Sequence, residues 1–568
     1  MSHESIAPVL VVGAGPAGLT IALSLLKNGV PVRIINKAPV DHKEQRGLGQ
    51  QPRTQEVFHF LGALLEMRTM GIDLQPLVFY KFPGGKEVLT TLRLVASEDP
   101  TPSRPFNNPI QVPQYHTEAV LRSHLAKYGC SVELNTEFVG LKQFDDHVEA
   151  TVKRMEGGEE MIETKSYRWL VGADGGRSVV RKQSGLAFEG TSTPEKAILG
   201  ELYLEGLDTE HWHMWLKDAG NDLPTSLLVR TTEVPGKFWF MLSGDIDPDQ
   251  ALVSNESVKQ ALQLAMERDD LPLGEIVHVT DYRPSVRMVN KFRTGRVFVV
   301  GDAAHVHTPR GGQGLNSSVQ DAFNLGWKLA LVETGLAPPS LLDTYNEERL
   351  PVIKRMLQET VRMTQDVFTK RGDAESIKSA WQRGTHLKQF GINYRWSSIV
   401  FDERFQAIDA QGAEAAALNP YGTEGDSILR AGDRAPNATG LVRVGQDAQS
   451  QTTDLFSVFG PTHHTALIFG GGAAGIRAII KSLQVCPPGA LFTVIVSPGA
   501  DSVALNAADG GDAVLHDGDG TAYAGYGMSE YQTYVVIVRP DGVVGATVSG
   551  EEGVRKYFGA VFSDIQPA

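Results

Sequence analysis

The chain contains two cysteines in 568 residues, Cys130 and Cys486. Two cysteines cannot build the disulfide framework of a secreted scaffold, and these two are too far apart in sequence to form a CxxC motif. Positive charge is also scarce, because 53 lysines and arginines stand against 67 aspartates and glutamates, a net charge of −14. This balance disfavours nucleic acid and anionic membranes as partners. We therefore expect a cytoplasmic protein that does not bind nucleic acid.

A long, uninterrupted apolar run is lacking too. Residues 5–26 carry no charged side chain, but three glycines and Pro16 interrupt them, and no basic segment precedes them. A membrane anchor or a signal peptide is therefore not expected. Apolar residues make up 42% of the chain, and its length exceeds that of one ordinary domain. We expect several globular domains with large cores and no membrane partner.

A glycine-rich turn is the first chemical motif. Residues 13–18 (GAGPAG) lie between a short apolar run typical of a strand and a segment with helical spacing. A second apolar run at residues 30–35 (VPVRII) completes a strand–helix–strand unit. A glycine motif in this context indicates a dinucleotide-binding site.

Each glycine of the motif has its own task. Gly13 permits the tight turn, Gly15 lets backbone N–H groups approach a pyrophosphate, and Gly18 lets the helix pack closely on the strand, with Ala17 in the same turn. The acid that usually contacts a ribose at the end of the second strand is replaced by Asn36. Its amide oxygen can accept the same hydrogen bond, and a surface asparagine without a ligand is the alternative.

Two later apolar runs end in an aspartate. Residues 169–173 (WLVGA) lead into DGGRS, which begins at Asp174, and residues 297–300 (VFVV) lead into GDAAHVHTPRGGQGLN, which contains Asp302. Taken singly, either aspartate is equally typical of an ordinary turn. Together with the first motif they form an ordered and specific pattern.

The three motifs resemble those of the single-component flavoprotein aromatic hydroxylases, the family of p-hydroxybenzoate and phenol hydroxylases. The chain is most similar to the phenol hydroxylase-like branch, over nearly its whole length. The resemblance implies an α/β fold with a Rossmann-like FAD-binding domain, an antiparallel-sheet substrate domain and a C-terminal thioredoxin-like domain without a redox dithiol. The expected ranges are 1–185 and 281–370 for the FAD-binding domain, 186–280 with parts of 75–115 for the substrate domain, 371–430 for a helical or linker segment, and 431–568 for the last domain. The family likeness also leads us to expect a homodimer.

The resemblance further implies FAD as cofactor and NADPH, or NADH, as co-substrate. Asp302 would bond the ribitol chain, and Asp174 and Arg177 would lie in a segment that serves both FAD and NADPH. Arg46 and Gln114 match positions that touch FAD in similar enzymes. The expected cofactor-binding residues are Gly13, Gly15, Ala17, Gly18, Asn36, Arg46, Gln114, Asp174, Arg177, Asp302, Gly312, Gly314, Leu315 and Asn316.

The glycines of the third motif have a physical interpretation of their own. Residues 311–314 expose backbone N–H groups, and helical spacing from Leu315 onwards brings a helix N-terminus beside them. An anion is favoured there, and reduced flavin is anionic at the edge formed by N1 and the C2 carbonyl. The small residues beside Pro309 also leave room for oxygen and substrate.

The implied activity is that of a monooxygenase. By the resemblance, NADPH reduces FAD, O2 adds to give a C4a-hydroperoxide, and the distal oxygen attacks a small electron-rich aromatic substrate. A phenol needs a cation or a base to ionise at neutral pH. Arg287 and Tyr282 are the candidates for this task, with Pro309 as the third expected catalytic residue, and a solvated surface position is the alternative for Arg287.

Several alternatives stay open. The same flavin chemistry could serve oxidative decarboxylation or epoxidation, and a catalytically silent FAD-binding protein is a further alternative. Residues 470–475 (GGGAAG) repeat the glycine spacing, but no acid ends the next strand. Nearby histidines occur in pairs without a third ligand, so no metal site is expected. The following aromatic residues could line a substrate pocket or belong to a core: Trp212, Trp215, Phe238, Trp239 and Phe240.

Overall fold

The computed structural model describes most of the chain. The described residues are 7–156, 159–192, 196–217, 224–370, 373–406, 409–422, 428–444, 451–470, 472–498 and 511–563. Their α-helices are Pro16–Lys27, Pro52–Phe60, Leu64–Met70, Gln114–Ala126, Val179–Gln183, Pro248–Ala251, Asn255–Met266, Gly314–Glu333, Asp343–Thr369, Ala374–Trp381, Ala410–Ala417, Ala473–Leu483, Thr521–Tyr526 and Glu551–Val561. Short 3-10 helices occur at Gly301–Ala303, Pro339–Leu342, Thr385–Lys388 and Leu455–Ser457.

A largely parallel sheet carries the three sequence motifs. Strand Ala7–Val12 pairs in parallel with Val32–Ile35 on one side and with Glu159–Gly172 on the other, and Glu159–Gly172 pairs in parallel with Val297–Val299. Where they pair in parallel, these strands are largely buried and rich in β-branched residues, as expected for a parallel sheet. The remaining strands of this sheet are Val132–Glu133, Thr136–Gln143, Val148–Glu156 and Arg293–Thr294.

The first helix begins at Pro16, inside the glycine motif, and ends at Lys27. A proline is accepted in the first turn because its missing N–H has no partner there in any helix. The helix packs against Gly314–Glu333, and the contact is close enough that a Cβ on Gly326 would lie 2.3 Å from Ser24 Oγ. The helix that follows the third motif therefore supports the one that follows the first.

A seven-stranded, mainly antiparallel sheet forms the second layer. Its strands in spatial order are Leu273–Tyr282, Lys196–Leu204, Lys237–Gly244, Thr225–Thr231, Trp212–Lys217, Leu77–Tyr80 and Val88–Leu92. Helices Pro248–Ala251 and Asn255–Met266 cover one face, where the larger apolar residues form a core. Two small three-stranded sheets complete this part of the molecule; their strands are Phe188–Ser192, Ser285–Val289 and His305–Val306, and Gly49–Gln50, Ile110–Gln111 and Ile72–Asp73.

The C-terminal part contains a mixed sheet. Strand His464–Phe469 pairs in parallel with Leu491–Ser497 and antiparallel with Tyr534–Val538, which pairs antiparallel with Val544–Val548. The other strands are Phe401–Asp402, Leu441–Arg443, Gln451–Thr453 and Ala513–His516. One apolar core runs from this sheet into the part of the molecule that contains the parallel sheet, for example where the rings of Phe60 and Phe456 lie 5.1 Å apart.

No helix among the described residues is long and apolar enough to span a membrane.

Candidate active site

The three sequence motifs meet at one edge of the parallel sheet. Because their strands are parallel and adjacent, the segments that follow them emerge at the same carboxyl end. Gly13 has a φ of +104°, and a Cβ there would lie 2.3 Å from the carbonyl oxygen of Ala173. A Cβ on Gly18 would lie 1.9 Å from the carbonyl oxygen of Gly13, and one on Gly301 would lie 3.2 Å from Ala17 Cβ. The motifs therefore touch through their backbones, with no room for a side chain.

Two glycines at this edge face open space instead. A Cβ on Gly15, which caps the helix Pro16–Lys27, would have no atom of the described residues within 4 Å. A Cβ on Gly312 would meet only Gln51 Nε2, at 3.9 Å. Gly15 and Gly312 lie where the sequence predicts close approach of a cofactor, and the residues present thus fit a dinucleotide that lies along the backbone.

Asp302 directly follows Gly301, at which an added Cβ would lie 3.2 Å from Ala17 Cβ of the first motif. Its side chain is exposed by surface area, yet enough protein surrounds it that desolvation raises the pKa of its carboxyl, with the charge of His305 opposing the shift. Nearby, burial lowers the pKa of His307 to about 4, so its imidazole is neutral at pH 7.

The side chain of Asp174 forms hydrogen bonds with its own chain. Its carboxylate accepts hydrogen bonds from Ser178 Oγ at 2.5 Å and from the N–H groups of Val179 and Val180 at 2.6 and 3.2 Å. It thereby caps the short helix Val179–Gln183. Arg177 is exposed beside it. The predicted roles of both residues toward FAD and NADPH stay predictions.

Arg181 joins the second motif to the third, a role that sequence reasoning missed. Its guanidinium donates to the carbonyl oxygens of Ala303 and Gly176, each at 2.9 Å, and its Cζ lies 3.7 Å from the centre of the Phe188 ring. The side chain is buried. The sequence offers no local signal for this contact, because its partners lie in two separate segments.

A buried charge cluster holds the third motif from behind. His305 Nε2 lies 2.6 Å from Asp321 Oδ2, and Arg349 Nε donates to Asp321 Oδ1 at 2.7 Å. All three side chains are fully buried. Burial alone would raise the pKa of Asp321, but the charges of Arg349 and His305 outweigh it and hold that pKa below its usual value. The segment 301–305 is thus fixed to two helices.

Asn316 fixes the glycine loop of the third motif. Its Oδ1 accepts the N–H of Gln51 at 2.7 Å, and its Nδ2 donates to the carbonyl oxygens of Gly49 and Gly312 at 2.8 and 2.7 Å. The predicted residue Leu315 packs beside it, 3.3 Å from where a Cβ on Gly47 would lie. Asn316 therefore ties the loop to the segment that follows Arg46.

Gln389 supports the same loop from the other side. It is fully buried, with a φ of +67°, and its Nε2 donates to Gln313 Oε1 at 2.7 Å. Its own Oε1 accepts from Gln320 Nε2 at 2.7 Å, while Gln313 Nε2 donates to the carbonyl oxygen of Gly311 at 2.9 Å. Part of the expected linker at 371–430 therefore packs directly against the loop. The polar stretch 419–426 is only partly within the described residues.

Gln114 contacts the segment that contains Arg46. Gln114 Oε1 accepts the N–H of Gly47 at 3.3 Å, and its Nε2 donates to Glu118 Oε1 at 2.9 Å. Burial raises the pKa of Glu118 to about 7, although Arg122 and Arg46 oppose the shift. Arg46 itself is exposed.

Asn36 ends the second strand at the same edge. Its backbone N–H donates to the Glu133 carbonyl at 2.9 Å, and its own carbonyl accepts the N–H of Thr136 at 3.0 Å. The side chain is half-buried, and its contact with a ribose stays a prediction.

The antiparallel sheet turns one face towards this edge. Glu201 on that face accepts the N–H of Gln45 at 2.6 Å, and Arg230 Nη2 donates to Gln45 Oε1 at 3.2 Å. The Arg230 guanidinium stacks on Trp239 with 4.7 Å between its Cζ and the ring centre. Burial lowers the pKa of Arg230 to about 9, with Glu201 opposing the shift.

The five aromatic candidates divide between the two faces. Trp215, Phe238 and Phe240 belong to the core beneath helices Pro248–Ala251 and Asn255–Met266, as the alternative interpretation predicts. Trp239 points to the opposite face and is half-buried. Trp212 packs on a third cluster, around Phe79 and Met214.

Beside Trp239, three half-buried apolar residues occupy neighbouring strands on the same face. Leu199 pairs with Met241, and Met241 pairs with Leu228. Cross-strand partners share a face of the sheet, so the three side chains form one apolar patch. Because none of them is fully covered, the patch can contact a bound apolar molecule.

Arg287 and Tyr282 lie on different strands. Arg287 pairs with Val306, three residues before Pro309, and its Nη2 donates to Ser192 Oγ at 3.3 Å. Tyr282 ends the strand Leu273–Tyr282, opposite Ala197. Pro309 is exposed, and its carbonyl accepts the N–H of Gly312 at 3.2 Å. Arg287 is thus close to the third motif in the sheet, while the catalytic roles of all three residues stay predictions.

The second glycine motif, at 470–475, is only partly described, because Gly471 lies outside the described residues. A Cβ on Gly470 would lie 2.4 Å from the carbonyl oxygen of Gln532. Close packing against the segment that contains Gln532 thus requires a glycine at position 470.

A parallel sheet whose carboxyl edge gathers the three motifs, opposed by an antiparallel sheet, fits an FAD-binding oxidoreductase. Residues 6–360 match the family described as "FAD binding domain", and residues 501–566 match "Phenol hydroxylase, C-terminal dimerisation domain". The chain therefore belongs to the FAD-dependent aromatic hydroxylases of the phenol hydroxylase-like branch. It is a flavin monooxygenase with FAD as cofactor and the NAD(P)H co-substrate typical of this family.

Individual relatives agree with this family. A flavin-dependent monooxygenase of Mycobacteroides abscessus is 34% identical over 97% of this chain and 99% of its own length. The pentachlorophenol 4-monooxygenase of Sphingobium chlorophenolicum is 34% identical over 77% of both chains. Among solved structures, CabE, an aromatic hydroxylase from angucycline biosynthesis, is 27% identical with a TM-score of 0.67, covering 98% of this chain and 100% of its own. The monooxygenase PieE, at 22% identity, shares the fold with a TM-score of 0.77 over 98% of both chains. The mixed α/β fold is therefore that of the FAD-dependent aromatic hydroxylases.

Proposed function

We propose that this monooxygenase hydroxylates a phenolic or related electron-rich aromatic compound. The single observation that carries the proposal is the apolar patch of Leu199, Leu228 and Met241 on the sheet face that turns towards the three motifs. A flat aromatic substrate would lie between this patch and the flavin ring. Relatives whose names state phenolic substrates, pentachlorophenol and 2,4-dichlorophenol monooxygenases, support the substrate class.

The bound FAD would supply hydride acceptance from NAD(P)H and the activation of O2. The residues of the chain itself would position the reactants, stabilise charge and exclude water. The N–H groups of residues 311–314 and the N-terminus of helix Gly314–Glu333 would stabilise negative charge on the flavin edge. The side chains of Asn316 and Gln389 hold this loop in one conformation, so those N–H groups need no reorganisation.

The residues proposed to hold FAD divide by task. Gly13, Gly15 and Gly18 would accommodate the pyrophosphate, Asn36 the ribose and Asp302 the ribitol chain. Within the described residues no hydrogen bond engages the Asp302 carboxylate, which leaves it available for a ligand hydroxyl. Its raised pKa also favours a group that donates to it over one that is itself anionic.

Arg287 is our candidate for stabilising the ionised substrate hydroxyl, with Tyr282 nearby in the sequence. A guanidinium that holds a phenolate lowers the cost of ionising a group with an ordinary pKa of about 10. The pairing of Arg287 with Val306 brings its strand to the third motif, which supports this role. The experiment below includes Arg287→Gln for that reason.

The C-terminal part is proposed to be a thioredoxin-like domain that mediates a homodimer. A strand–helix–strand unit followed by two antiparallel strands and a helix supports the first statement. The match of residues 501–566 to a dimerisation domain supports the second. The one cysteine of this part, Cys486, cannot form a redox dithiol, and burial raises its pKa to about 12. Scarce cysteine also favours a reducing cytoplasm.

The test is a panel of phenols, hydroxybenzoates and larger polycyclic phenols, each assayed for stimulated NADPH oxidation and product mass. We expect at least one phenol to accelerate NADPH loss and to yield a product heavier by one oxygen atom. Arg287→Gln should lower kcat/KM for that phenol while keeping bound FAD. A product that has lost a carboxylate would show that the enzyme catalyses oxidative decarboxylation instead of hydroxylation. A product that carries an epoxide would likewise show epoxidation. If no aromatic stimulates NADPH oxidation, the proposal is wrong.

A further inference from the structure

Gln45 is a buried residue that makes three polar contacts with the antiparallel sheet and its loops. It is 5% exposed, and its backbone N–H donates to Glu201 Oε1 at 2.6 Å. Its side-chain Nε2 donates to Glu233 Oε2 at 2.8 Å, and its Oε1 accepts from Arg230 Nη2 at 3.2 Å. The substrate-facing sheet therefore holds the residue that directly precedes Arg46.

The partners of Gln45 are themselves held in place. Glu201 Oε2 pairs with Lys237 Nζ at 2.8 Å. The Arg230 guanidinium stacks on the Trp239 ring, with 4.7 Å between its Cζ and the ring centre. The hydrogen bond from Arg230 to Gln45 therefore depends on where the Trp239 ring holds that guanidinium.

The same contacts extend to the apolar patch described above. Glu201, Trp239 and Arg230 are cross-strand partners, and each lies two residues along its strand from a member of the patch. Residues two apart on a strand share a face of the sheet, so this row borders the patch. Glu201 and Arg230 are each 3% exposed, whereas Trp239 is half-buried. Trp239 is therefore the member of the row that a molecule bound on the patch can contact.

The segment from Gln45 to Gln51 connects this sheet to the third motif. The N–H of Gln51 donates to Asn316 Oδ1 at 2.7 Å, and Asn316 Nδ2 donates to the carbonyl oxygen of Gly312 at 2.7 Å. Arg46, an expected cofactor contact, lies within the segment and is exposed. The segment is thus bonded to the substrate-facing sheet at one end and to the glycine loop at the other.

We propose that Gln45 is a positioning residue that couples occupancy of the apolar patch to the cofactor-binding segment. An aromatic ring packed on Trp239 limits the conformations of that side chain and favours the stacked Arg230 that bonds Gln45. Gln45 then holds Arg46 and the backbone after it in the position that the reaction needs. The inference rests on the proposed function, because it assumes that an aromatic molecule binds on the patch.

The test separates binding of the ligand from the response of the flavin. Phenols are titrated into the FAD-loaded protein by calorimetry, which gives Kd, and in parallel by the visible flavin spectrum, which reports the surroundings of the flavin ring. Gln45→Met removes both side-chain hydrogen bonds and keeps a side chain of similar length. We expect the calorimetric Kd to stay within about two-fold, the spectral change to be lost, and kcat to fall about ten- to hundred-fold.

An exchange of amide and carboxylate provides the rescue. Gln45→Glu places a second carboxylate against Glu233, and the repulsion should make it behave like Gln45→Met. In the double variant Gln45→Glu/Glu233→Gln, an amide and a carboxylate again face each other, and the side chain at position 233 can still accept the hydroxyl of Tyr115. We expect the double variant to regain most of the spectral change and of kcat. A double variant no better than Gln45→Glu would refute the coupling.

Gln75 supplies a matched control on the same sheet. Its Nε2 donates to the carbonyl oxygen of Thr209 at 2.6 Å, and its Oε1 accepts from Thr231 Oγ1 at 3.3 Å. Gln75→Met removes an amide next to Arg230 in the same way and should change neither Kd nor the spectral change. An effect of Gln75→Met as large as that of Gln45→Met would overturn the proposal.

Thermal unfolding and FAD content verify that each variant is folded. If Gln45→Met does not fold, the comparison of Gln45→Glu with the double variant decides. The proposal is overturned if Gln45→Met keeps the spectral change, if it loses affinity for the phenol together with that change, or if no phenol that binds the wild type alters the flavin spectrum.

The coupling and the proposed reaction fail separately, because the titrations need no turnover. A spectral change that depends on Gln45, without an oxygenated product, would refute the proposed reaction and support the coupling. Hydroxylation with the same kcat in wild type and Gln45→Met would refute the coupling and support the reaction.

Discussion

The edge of the parallel sheet and the antiparallel sheet that faces it are built in opposite ways. At the edge, Gly13 and Gly18 bring backbone against backbone, and an added Cβ at either position would collide with a main-chain atom. An added Cβ on Gly301 would collide with the side chain of Ser318. On the sheet, half-buried side chains such as Leu228 and Met241 face space that the protein does not fill. Steric exclusion therefore limits the residue types that these positions at the edge accept. On the sheet, different side chains can be accommodated, and they would alter which substrates the proposed apolar patch contacts.

The largest expected effect comes from breaking the support behind the edge. Glu348 accepts hydrogen bonds from both Nη atoms of Arg539 at 2.7 and 2.9 Å and from Lys328 Nζ at 2.7 Å, all fully buried. Glu348→Gln should lower the free energy of unfolding by about 3–5 kcal/mol. It leaves the buried Lys328 without a bonded carboxylate among the described residues, and it leaves Arg539 with Asp541 alone. Chemical denaturation at pH 7 measures this loss. The neighbouring Glu347→Gln is the control, since Glu347 bonds only the exposed Ser398 among the described residues.

This effect should depend on pH. Burial would raise the pKa of Glu348, but Arg539 and Lys328 outweigh it and hold that pKa far below its usual value. A depressed carboxyl pKa contributes stability above the unfolded value of about 4.3, and the contribution is lost as pH falls through the folded pKa. The difference between wild type and Glu348→Gln should therefore be full at pH 7 and shrink below about pH 4. A constant difference over that range would contradict the role of the charge.

Two alanine substitutions separate packing from cofactor binding at the edge. Gly18→Ala should destabilise even the apoprotein, by about 1–3 kcal/mol, because its Cβ would collide with the Gly13 carbonyl. Gly15→Ala should leave the unfolding of the apoprotein unchanged and weaken FAD binding, because its Cβ enters open space needed by the pyrophosphate. Thermal unfolding and FAD titration distinguish them. Equal behaviour of the two variants would refute the difference between packed and open glycines.

A smaller effect is expected from the loop that carries residues 311–314. Gln389→Leu removes the amide hydrogen bonds of Gln389 while keeping its volume, so Gln313, Gln320 and Tyr421 each lose a partner. We expect a cost of about 1–3 kcal/mol in stability and a lower midpoint potential of the bound flavin, since the N–H groups that favour the reduced form become less ordered. Spectroelectrochemistry reads the potential. Gln382→Leu, an exposed position nearby, should change neither quantity.

The smallest effect should be on the sheet. Met241→Ala should change relative kcat/KM values among phenols by about ten-fold and leave FAD content unchanged, because it alters a pocket wall and no cofactor contact. Leu264→Ala, on the exposed side of the helix Asn255–Met266, is the control with the same loss of apolar volume. Loss of FAD in Met241→Ala would show that the two regions are not independent.

The same difference explains what the sequence could predict. The glycines, the helix after them and the aspartate of the third motif follow from local rules, because a tight turn or a cofactor against the backbone admits few residues. The family is confirmed, whereas the roles of single cofactor residues stay predictions. Alternation along Lys237–Gly244 predicts that Phe238 and Phe240 share a face opposite to Trp239. It cannot predict which face is the core, since that depends on helices elsewhere in the chain.

Contacts between distant segments do not produce a recognisable pattern in the sequence. Arg181 and Gln389 each bond residues of a different segment, and their own neighbours in sequence look ordinary. Asp174 shows the converse case. It ends a strand as predicted, yet its carboxylate also caps the following helix, which a turn residue would do without any cofactor. Residue type at a strand end thus indicates a site but does not specify the partner.

The FAD content of wild type and of Asp302→Ala tests the central claim most directly. We predict one FAD per chain in purified wild type and a nearly colourless Asp302→Ala that unfolds at the same temperature as the wild-type apoprotein, because no described residue depends on this carboxylate for a hydrogen bond. A fully yellow Asp302→Ala, or a wild type that takes up no FAD when soaked in excess, would contradict a flavin site at the meeting point of the three motifs.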